Sequence, residues 1–245
     1  MGGISEEIDG IVSLLENKKE TRLAMRTFYT GKINNREVIV VFSRWGKVAA
    51  AVTASALIEH FGADEIIFTG VAGAVNADLN IGDIVVARRL IQHDMDGRPL
   101  FMRHEIPLLG KTFLDTPAPL FERAQNAVNA LINNKNLLKI VTPQELTRFN
   151  ITQPKLFTGD VASGDAFFAS DEQKQNLVSA LPSTLCVEME GAAVAQTCYE
   201  HGVPFAVIRT ISDAAGSGAH IDFTDFIKTI SSKYSREIIK NILNQ

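Results

Sequence analysis

The chain has 245 residues, of which 46% are hydrophobic and 21% charged, and its formal net charge is −4. This composition suits a globular protein with a full core, and the small negative charge gives no reason to expect nucleic acid or an anionic membrane as a partner. No apolar run approaches the roughly 20 residues that span a bilayer. The two cysteines, Cys186 and Cys198, are too few for a disulfide framework and favour a reducing cytoplasm, and no secretory signal is visible.

Short apolar runs alternate with amphipathic segments along the whole chain, a pattern typical of buried strands alternating with helices. The runs predict strands at residues 38–42, 66–68, 84–87 and 205–208. Apolar residues at helical spacing predict helices at residues 8–15, 48–56 and 223–243, the last one beginning near Asp222 or Asp225. We therefore expect one α/β domain over residues 1–245, with helices on both faces of a central mixed sheet in a three-layer α/β/α arrangement.

Two segments break this alternation. Residues 97–119 carry four prolines and are interpreted as an extended loop with a role in function or subunit contact. Residues 133–154 are polar and weakly patterned, and we expect one strand there.

The run Phe68-Thr69-Gly70-Val71-Ala72-Gly73-Ala74 predicts a strand that enters a turn of small residues. Glycines let a ligand approach the backbone closely, but they are equally suited to a tight structural turn. The segment lacks the dinucleotide pattern G-x-G-x-x-G, and Gly46-Lys47 lacks the earlier glycine of a phosphate-binding loop. The sequence leaves both interpretations open.

A second glycine-containing segment, Ser163-Gly164-Asp165-Ala166-Phe167-Phe168, ends in two aromatic residues. Aromatic side chains beside a turn can form a slot for a flat heterocycle, because stacking favours planar partners. On pattern alone, Phe167 and Phe168 could equally belong to the core.

Two carboxylates flank a methionine in Val187-Glu188-Met189-Glu190-Gly191, where an apolar strand gives way to an alanine-rich helix. Buried glutamates are rare unless they are paired or functional. A carboxylate can accept hydrogen bonds from both hydroxyls of a ribose, and methionine offers a soft apolar surface. We favour a functional role for Glu190 over that of a helix-start residue, while for Glu188 the two are even.

Two further acidic residues stand where elements begin or end. Asp213 follows an apolar strand and precedes a glycine-containing turn at residues 216–218, a place suited either to a general acid or to a residue that caps the next turn. Glu7 opens the first helix, where an acidic residue usually serves only the helix dipole.

Together these segments, in this order, resemble the nucleoside phosphorylase/hydrolase superfamily, and most closely the bacterial 5′-methylthioadenosine/S-adenosylhomocysteine nucleosidases. The similarity covers nearly the whole chain. Its most specific element is Val187–Gly191 followed by Val203-Pro204-Phe205 and Arg209-Thr210-Ile211-Ser212-Asp213. Four further motifs match: Ser43-x-x-Gly46-Lys47-Val48, Gly70-Val71-Ala72-Gly73, Ile81-Gly82-Asp83-Ile84-Val85 and Ser163-Gly164-Asp165-Ala166-Phe167.

The resemblance implies a nucleoside-phosphorylase-like fold and a small-molecule nucleoside as substrate, with no metal and no organic cofactor. Asp213, positioned by Ser212, would protonate purine N7, and Glu7 would activate water. Glu190 would hold the ribose hydroxyls with Met189 against the sugar and Glu188 nearby. The remaining substrate contacts would come from Phe167, the Phe168 backbone, Val71, Ala72 and Gly73, with Ile4, Trp45 and Phe223 around the 5′ substituent.

The resemblance also implies a homodimer in which the loop at residues 95–101 completes the pocket of the neighbouring subunit. Relatives begin with a short apolar strand before the glycine turn, whereas this sequence starts at Met1-Gly2-Gly3. Trp45 is bulkier than the aliphatic residue usual at its position, which could narrow the 5′ pocket.

Phosphorolysis is the main alternative. Phosphorylases of this superfamily clamp phosphate with arginines, because a dianion needs positive, fork-like donors. At one such position this chain has Phe68, and its N-terminal loop offers Glu6 and Glu7, whose charges would repel phosphate. Water is therefore the expected nucleophile. A binding or storage protein with a degraded site is the remaining alternative, and the joint presence of Glu7, Glu190 and Asp213 argues against it.

Overall fold

The computed structural model describes residues 1–215 and 223–245, except for the side chain of Asn134. The turn expected at residues 216–218 and Asp222 lie outside the described residues. The last helical segment starts at Phe223 and has Asp225 in its first turn. None of the described helices is long and apolar enough to cross a membrane.

The strands alternate with helices along the described chain. The strands are β1 Glu16–Leu23, β2 Arg26–Ile33, β3 Arg36–Val41, β4 Ile66–Ala74, β5 Ile84–Gln92, β6 Leu114–Asp115, β7 Leu156–Ser163, β8 Thr184–Glu188 and β9 Phe205–Asp213. The helices are α1 Ser5–Val12, α2 Lys47–Glu59, α3 Ala118–Ile132, α4 Asn134–Ile140, α5 Pro143–Arg148, α6 Asp171–Ala180, α7 Gly191–His201, α8 Phe223–Phe226 and α9 Ser232–Leu243, with a π-helical turn Ile227–Ser231 between α8 and α9.

Five strands form a mixed sheet that closes on itself. The pairs β5–β7, β7–β8 and β4–β9 are parallel, whereas β4–β8 and β5–β9 are antiparallel, and the short β6 extends the edge at β5. Every residue of β9 is buried, as expected for a strand covered on both faces. The prediction of an α/β fold with a central mixed sheet is confirmed.

Helices cover the sheet on both faces. On one side α2 packs on α7, and their small side chains join a core cluster with β4, β5 and β9. On the other side α9 packs against α1 and α3 over a second core cluster. The α/β/α layering follows from these two cores, since each amphipathic helix buries its apolar face against the sheet.

The strands β1, β2 and β3 form a separate antiparallel sheet. Gly2 lies between this sheet and the central one, with bridges to Phe42 and Thr69. Its N–H donates to the carbonyl oxygen of Val41 at 3.0 Å, and the N–H of Gly3 donates to that of Thr69 at 3.2 Å. These two residues occupy the place where the resemblance implies a first strand, and they set the start of α1.

Three expectations from the sequence differ from the structure, two of them wholly and one only at its end. Residues 133–154 contain no strand but the two helices α4 and α5, which are started by the side chain of Asn133 and by a capping box between Thr142 and Glu145. They are too short for helical periodicity to be visible. The extended loop expected over residues 97–119 is present over residues 97–113, and it is followed by the two-residue strand β6 and by the start of α3 at Ala118.

The third concerns Gly70–Ala74, which is not a turn, because β4 continues through it. The glycines serve close packing instead. A Cβ on Gly70 would lie 2.9 Å from a guanidinium nitrogen of Arg209, and one on Gly73 would lie 2.9 Å from Oδ1 of Asp213. No other residue leaves room for these neighbours.

Candidate active site

One pocket lies where the ends of β4, β8 and β9 meet the loops before α2 and after β7. Every side chain assigned to the site from the sequence lines this pocket except Glu7. The lining set contains Ile4, Trp45, Val71, Ala72, Gly73, Phe167, Phe168, Glu188, Met189, Glu190, Ser212, Asp213 and Phe223. Residues far apart in the chain thus converge at one edge of the sheet, where α/β folds collect ligands.

The turn between β8 and α7 carries Glu188, Met189 and Glu190. Glu190 precedes the first residue of α7, and its Oε1 accepts a hydrogen bond from the N–H of Gly46 at 2.8 Å. Burial, and then the negative charge of Glu188, raises the pKa of Glu190. Met189 is only partly buried. Both Met189 and Glu190 line the pocket.

Glu188 also lines the pocket, but its carboxylate is fully engaged by the protein. It accepts hydrogen bonds from the N–H groups of Glu190 at 3.0 Å and Gly191 at 2.8 Å, and from the hydroxyl of Ser163. Arg209 donates to the same carboxylate at 2.6 Å. Glu188 is therefore placed to hold Glu190 and Arg209 in position rather than to bind a ligand directly.

Arg209 lines the pocket and was not assigned a role from the sequence. Its side chain is 1% exposed and pairs with Glu188, whose side chain is 2% exposed. The guanidinium also donates to the carbonyl oxygens of Phe68 and Ile208 and stacks 4.1 Å from the centroid of the Phe68 ring. A signal existed in the sequence, because an arginine inside the apolar run of β9 requires a buried partner.

Asp213 is the last residue of β9 and is 9% exposed. Its Oδ2 accepts a hydrogen bond from the hydroxyl of Ser212 and its Oδ1 one from the N–H of Ala215, both at 2.8 Å. With Gly73 packed against it, the carboxyl group is fixed in orientation at the pocket wall.

The two phenylalanines after β7 have different environments. Phe167 is 50% exposed at the pocket, a position from which it can stack on a planar ligand. Phe168 is buried in a core cluster and meets His93 edge to face, with 5.3 Å between ring centroids. Phe167 is thus exposed at the pocket, whereas Phe168 belongs to the core and also borders the pocket.

Lys47 connects the loop after β5 with the loop after β7 through hydrogen bonds. Its Nζ donates to Oδ1 of Asp94 at 2.6 Å, and its backbone N–H donates to Oδ1 of Asp165 at 2.8 Å. The N–H of Asp165 in turn donates to Asp94 at 2.9 Å. Gly46 has a φ of +90°, which favours glycine, and it links this network to Glu190.

Glu7 lies in the first turn of α1, 0% exposed and outside the set of lining residues, whereas Gly3 and Ile4 just before it do line the pocket. Its Oε1 accepts a hydrogen bond from the hydroxyl of Ser231 at 2.6 Å. Its Oε2 is buried and has no hydrogen-bond partner among the described residues. Burial raises the pKa of this carboxyl group.

The loop at residues 95–101 does not contribute to the pocket of its own chain in the described structure. It starts beside Asp94, which accepts a hydrogen bond from Lys47, and Leu100 on it is highly exposed. Within residues 1–215 and 223–245, no three His, Cys, Asp or Glu side chains are grouped so that they could hold a metal ion.

Comparison with known proteins agrees with this geometry. Residues 1–244 match the phosphorylase superfamily. The chain is 34% identical over 228 residues to a 5′-methylthioadenosine/S-adenosylhomocysteine nucleosidase of Staphylococcus epidermidis, which covers 93% of this chain and 90% of the relative.

Solved structures show the same likeness. A nucleosidase of this kind from Colwellia psychrerythraea, in complex with adenine, superposes with a TM-score of 0.85 at 30% identity, covering 99% of this chain and 92% of that one. The futalosine hydrolase of Helicobacter pylori gives 0.81 at 33% identity, covering 99% and 95%. The chain belongs to the phosphorylase superfamily and, within it, to the family of the 5′-methylthioadenosine/S-adenosylhomocysteine nucleosidases.

Proposed function

We propose that the protein hydrolyses the N-glycosidic bond of a 5′-thio-substituted adenosine, releasing adenine and a thioribose. Methylthioadenosine and S-adenosylhomocysteine are the first candidates, since the relatives are named for both. 5′-Deoxyadenosine and an aminofutalosine-type nucleoside are further candidates, and the likeness to a futalosine hydrolase supports testing the latter. No metal or organic cofactor takes part in the proposed reaction.

One observation carries the proposal: Glu190 and Asp213 converge on one pocket whose mouth is flanked by the half-exposed Phe167. With adenine stacked on Phe167 and its polar edge at the Phe168 backbone, Asp213 donates a proton to N7. The adenine then leaves as a neutral molecule when the C1′–N9 bond breaks. Glu190 accepts hydrogen bonds from the ribose hydroxyls and, as an anion, stabilises the oxocarbenium-like sugar.

Water completes the reaction at C1′. Glu7 takes one proton from the attacking water as the new C–O bond forms, a general-base task. Burial raises the pKa of Glu7, which makes its carboxylate a stronger base than an ordinary one. Ser212 holds Asp213, Met189 packs on the sugar, and Val71, Ala72 and Gly73 form the floor. Ile4, Trp45 and Phe223 surround the 5′ substituent.

The surroundings of Arg209 favour water over phosphate as nucleophile. Among the lining residues described, Arg209 is the one basic side chain. Its guanidinium is already occupied by four hydrogen bonds to Glu188, Phe68 and Ile208. A phosphate dianion would therefore find no free cationic fork, and it would meet the charges of Glu7 and Glu190.

A substrate panel tests the proposal. We expect the purified protein to release free adenine from methylthioadenosine in phosphate-free buffer, at a rate that added phosphate does not increase. Adenosine, which lacks the apolar 5′ group, serves as the control nucleoside. Release that requires phosphate would make the protein a phosphorylase, and tight nucleoside binding without release would make it a binding protein.

A homodimer is part of the proposal. Trp45, Val48 and Val52 form an exposed apolar strip along the start of α2, and Leu100 on the 95–101 loop is also exposed. We expect light scattering to give twice the chain mass of 26.8 kDa. Val48→Glu should yield monomers with a raised KM, because the neighbour's 95–101 loop no longer completes the pocket.

Met25→Glu, at an equally exposed apolar residue away from this strip, should remain dimeric. A wild-type protein that is monomeric and fully active would contradict the dimer.

We further propose that residues 1–245 form one domain in the cytoplasm. The family match over residues 1–244 supports the first point, and two free buried cysteines support the second.

A further inference from the structure

A buried hydroxyl contacts Glu7 from the far end of the chain. Ser231 is 0% exposed and closes the π-helical turn Ile227–Ser231, which packs against α1. Its hydroxyl donates to Oε1 of Glu7 at 2.6 Å, across 224 residues of sequence. Wide turns of this kind interrupt α-helices infrequently and are often found at functional sites.

The contact gives the two carboxylate oxygens of Glu7 different surroundings. Oε1 accepts a hydrogen bond from a donor that lies outside the pocket, whereas Oε2 is buried without a partner among the described residues. The backbone amides of Gly3 and Ile4, both at the pocket, lie near the carboxylate and favour its charged form without completing a hydrogen bond to Oε2. An unsatisfied buried carboxylate oxygen is costly, so a molecule that donates to it, such as water, is strongly favoured there.

We propose that Ser231 is a positioning residue for the reaction: its hydroxyl fixes the rotation of the Glu7 carboxylate, so that Oε2 receives the proton of the attacking water. In this step the water O–H bond breaks as its oxygen bonds to C1′, the proton goes to Oε2, and Ser231 keeps its own proton. The inference rests on the proposed function, in which Glu7 is the general base.

The electrostatics give this role a measurable signature. Burial raises the pKa of Glu7, while the hydrogen bond from Ser231 and the charge of Arg209 lower it. Glu190 and the amino group of Met1 are the other charged groups that interact with Glu7. Removing the Ser231 hydroxyl therefore raises the pKa of Glu7, and the base becomes protonated at a higher pH than in the wild type.

The test is the pH dependence of kcat, measured with saturating substrate, because Glu190 is then occupied by the ribose. For Ser231→Ala we expect a rate about tenfold lower at neutral pH, with KM nearly unchanged, since a hydrogen bond to a charged group is lost. The acidic limb of the pH–rate profile should move to higher pH by about one unit. Ser231→Thr, which keeps the hydroxyl, should restore the wild-type limb.

Ser235→Ala, at a buried serine one turn further along, is the matched control and should leave the limb unchanged. If Ser231→Ala folds poorly, Ser231→Cys keeps most of the volume with a weaker donor and should shift the limb in the same direction. An active wild type whose limb is not moved by either variant overturns the role of Ser231. A wild type that releases no adenine from any nucleoside overturns the proposed function instead.

Discussion

Asp213→Asn will lower the rate of adenine release from methylthioadenosine by about 10²- to 10⁴-fold, the usual contribution of a general acid. The asparagine oxygen can still accept the hydrogen bond from the N–H of Ala215, so the fold will be kept. What is lost is the proton for N7, and adenine must then leave as an anion. The measurement is adenine release at saturating substrate, with thermal unfolding as the check on folding.

A second substrate separates acid catalysis from damage to the pocket. The second substrate is the p-nitrophenyl O-glycoside of 5-methylthioribose. Its leaving group, p-nitrophenolate, needs no proton, so Asp213→Asn should act on it nearly as fast as the wild type. Asp115→Asn, at an exposed residue of β6, should be neutral with both substrates. An Asp213→Asn variant that keeps most of its rate on methylthioadenosine would exclude Asp213 as the acid.

The sequence predicted the strongly apolar strands of the fold and missed strands of mixed or polar sequence, such as β7 and β1. Strands β3, β4, β5 and β9 are apolar because helices or other strands cover them, so their runs stand out. The strand β1, with the sequence ENKKETRL, lies largely in solvent and has no apolar pattern to detect.

For the site, the sequence located the carboxylates and the Ser212 partner of Asp213, but it missed Arg209 as the partner of Glu188 and Ser231 as the partner of Glu7. Glu190 and Asp213 stand next to apolar strands, where a charge is conspicuous, and the structure brings both to one pocket. Ser231 is one serine in a polar helical stretch, and its meeting with Glu7 depends on the packing of α1 against the π-helical turn. Contacts of this range are set by the tertiary fold, so local patterns do not show them.

Arg209→Met will cause the largest loss of stability among single substitutions at the site. It leaves Glu188 buried without its cation, a change that costs about 3–5 kcal/mol in the free energy of unfolding. For a chain of this size we expect Tm to fall by about 10 °C. Measurement is by thermal and urea unfolding in phosphate-free buffer.

Arg123→Met is the matched control, because its ion pair with Glu65 is partly exposed and should contribute no more than about 1 kcal/mol. Adding Glu188→Gln to Arg209→Met should recover part of the lost stability, since the unpaired buried charge of Glu188 is then removed. The double variant should still release adenine slowly. In it, the charged carboxylate of Glu188, which accepts a hydrogen bond from the backbone N–H of Glu190, is replaced by a neutral amide. Equal losses for Arg209→Met and Arg123→Met would mean that the Glu188–Arg209 pair does not hold this end of the sheet together.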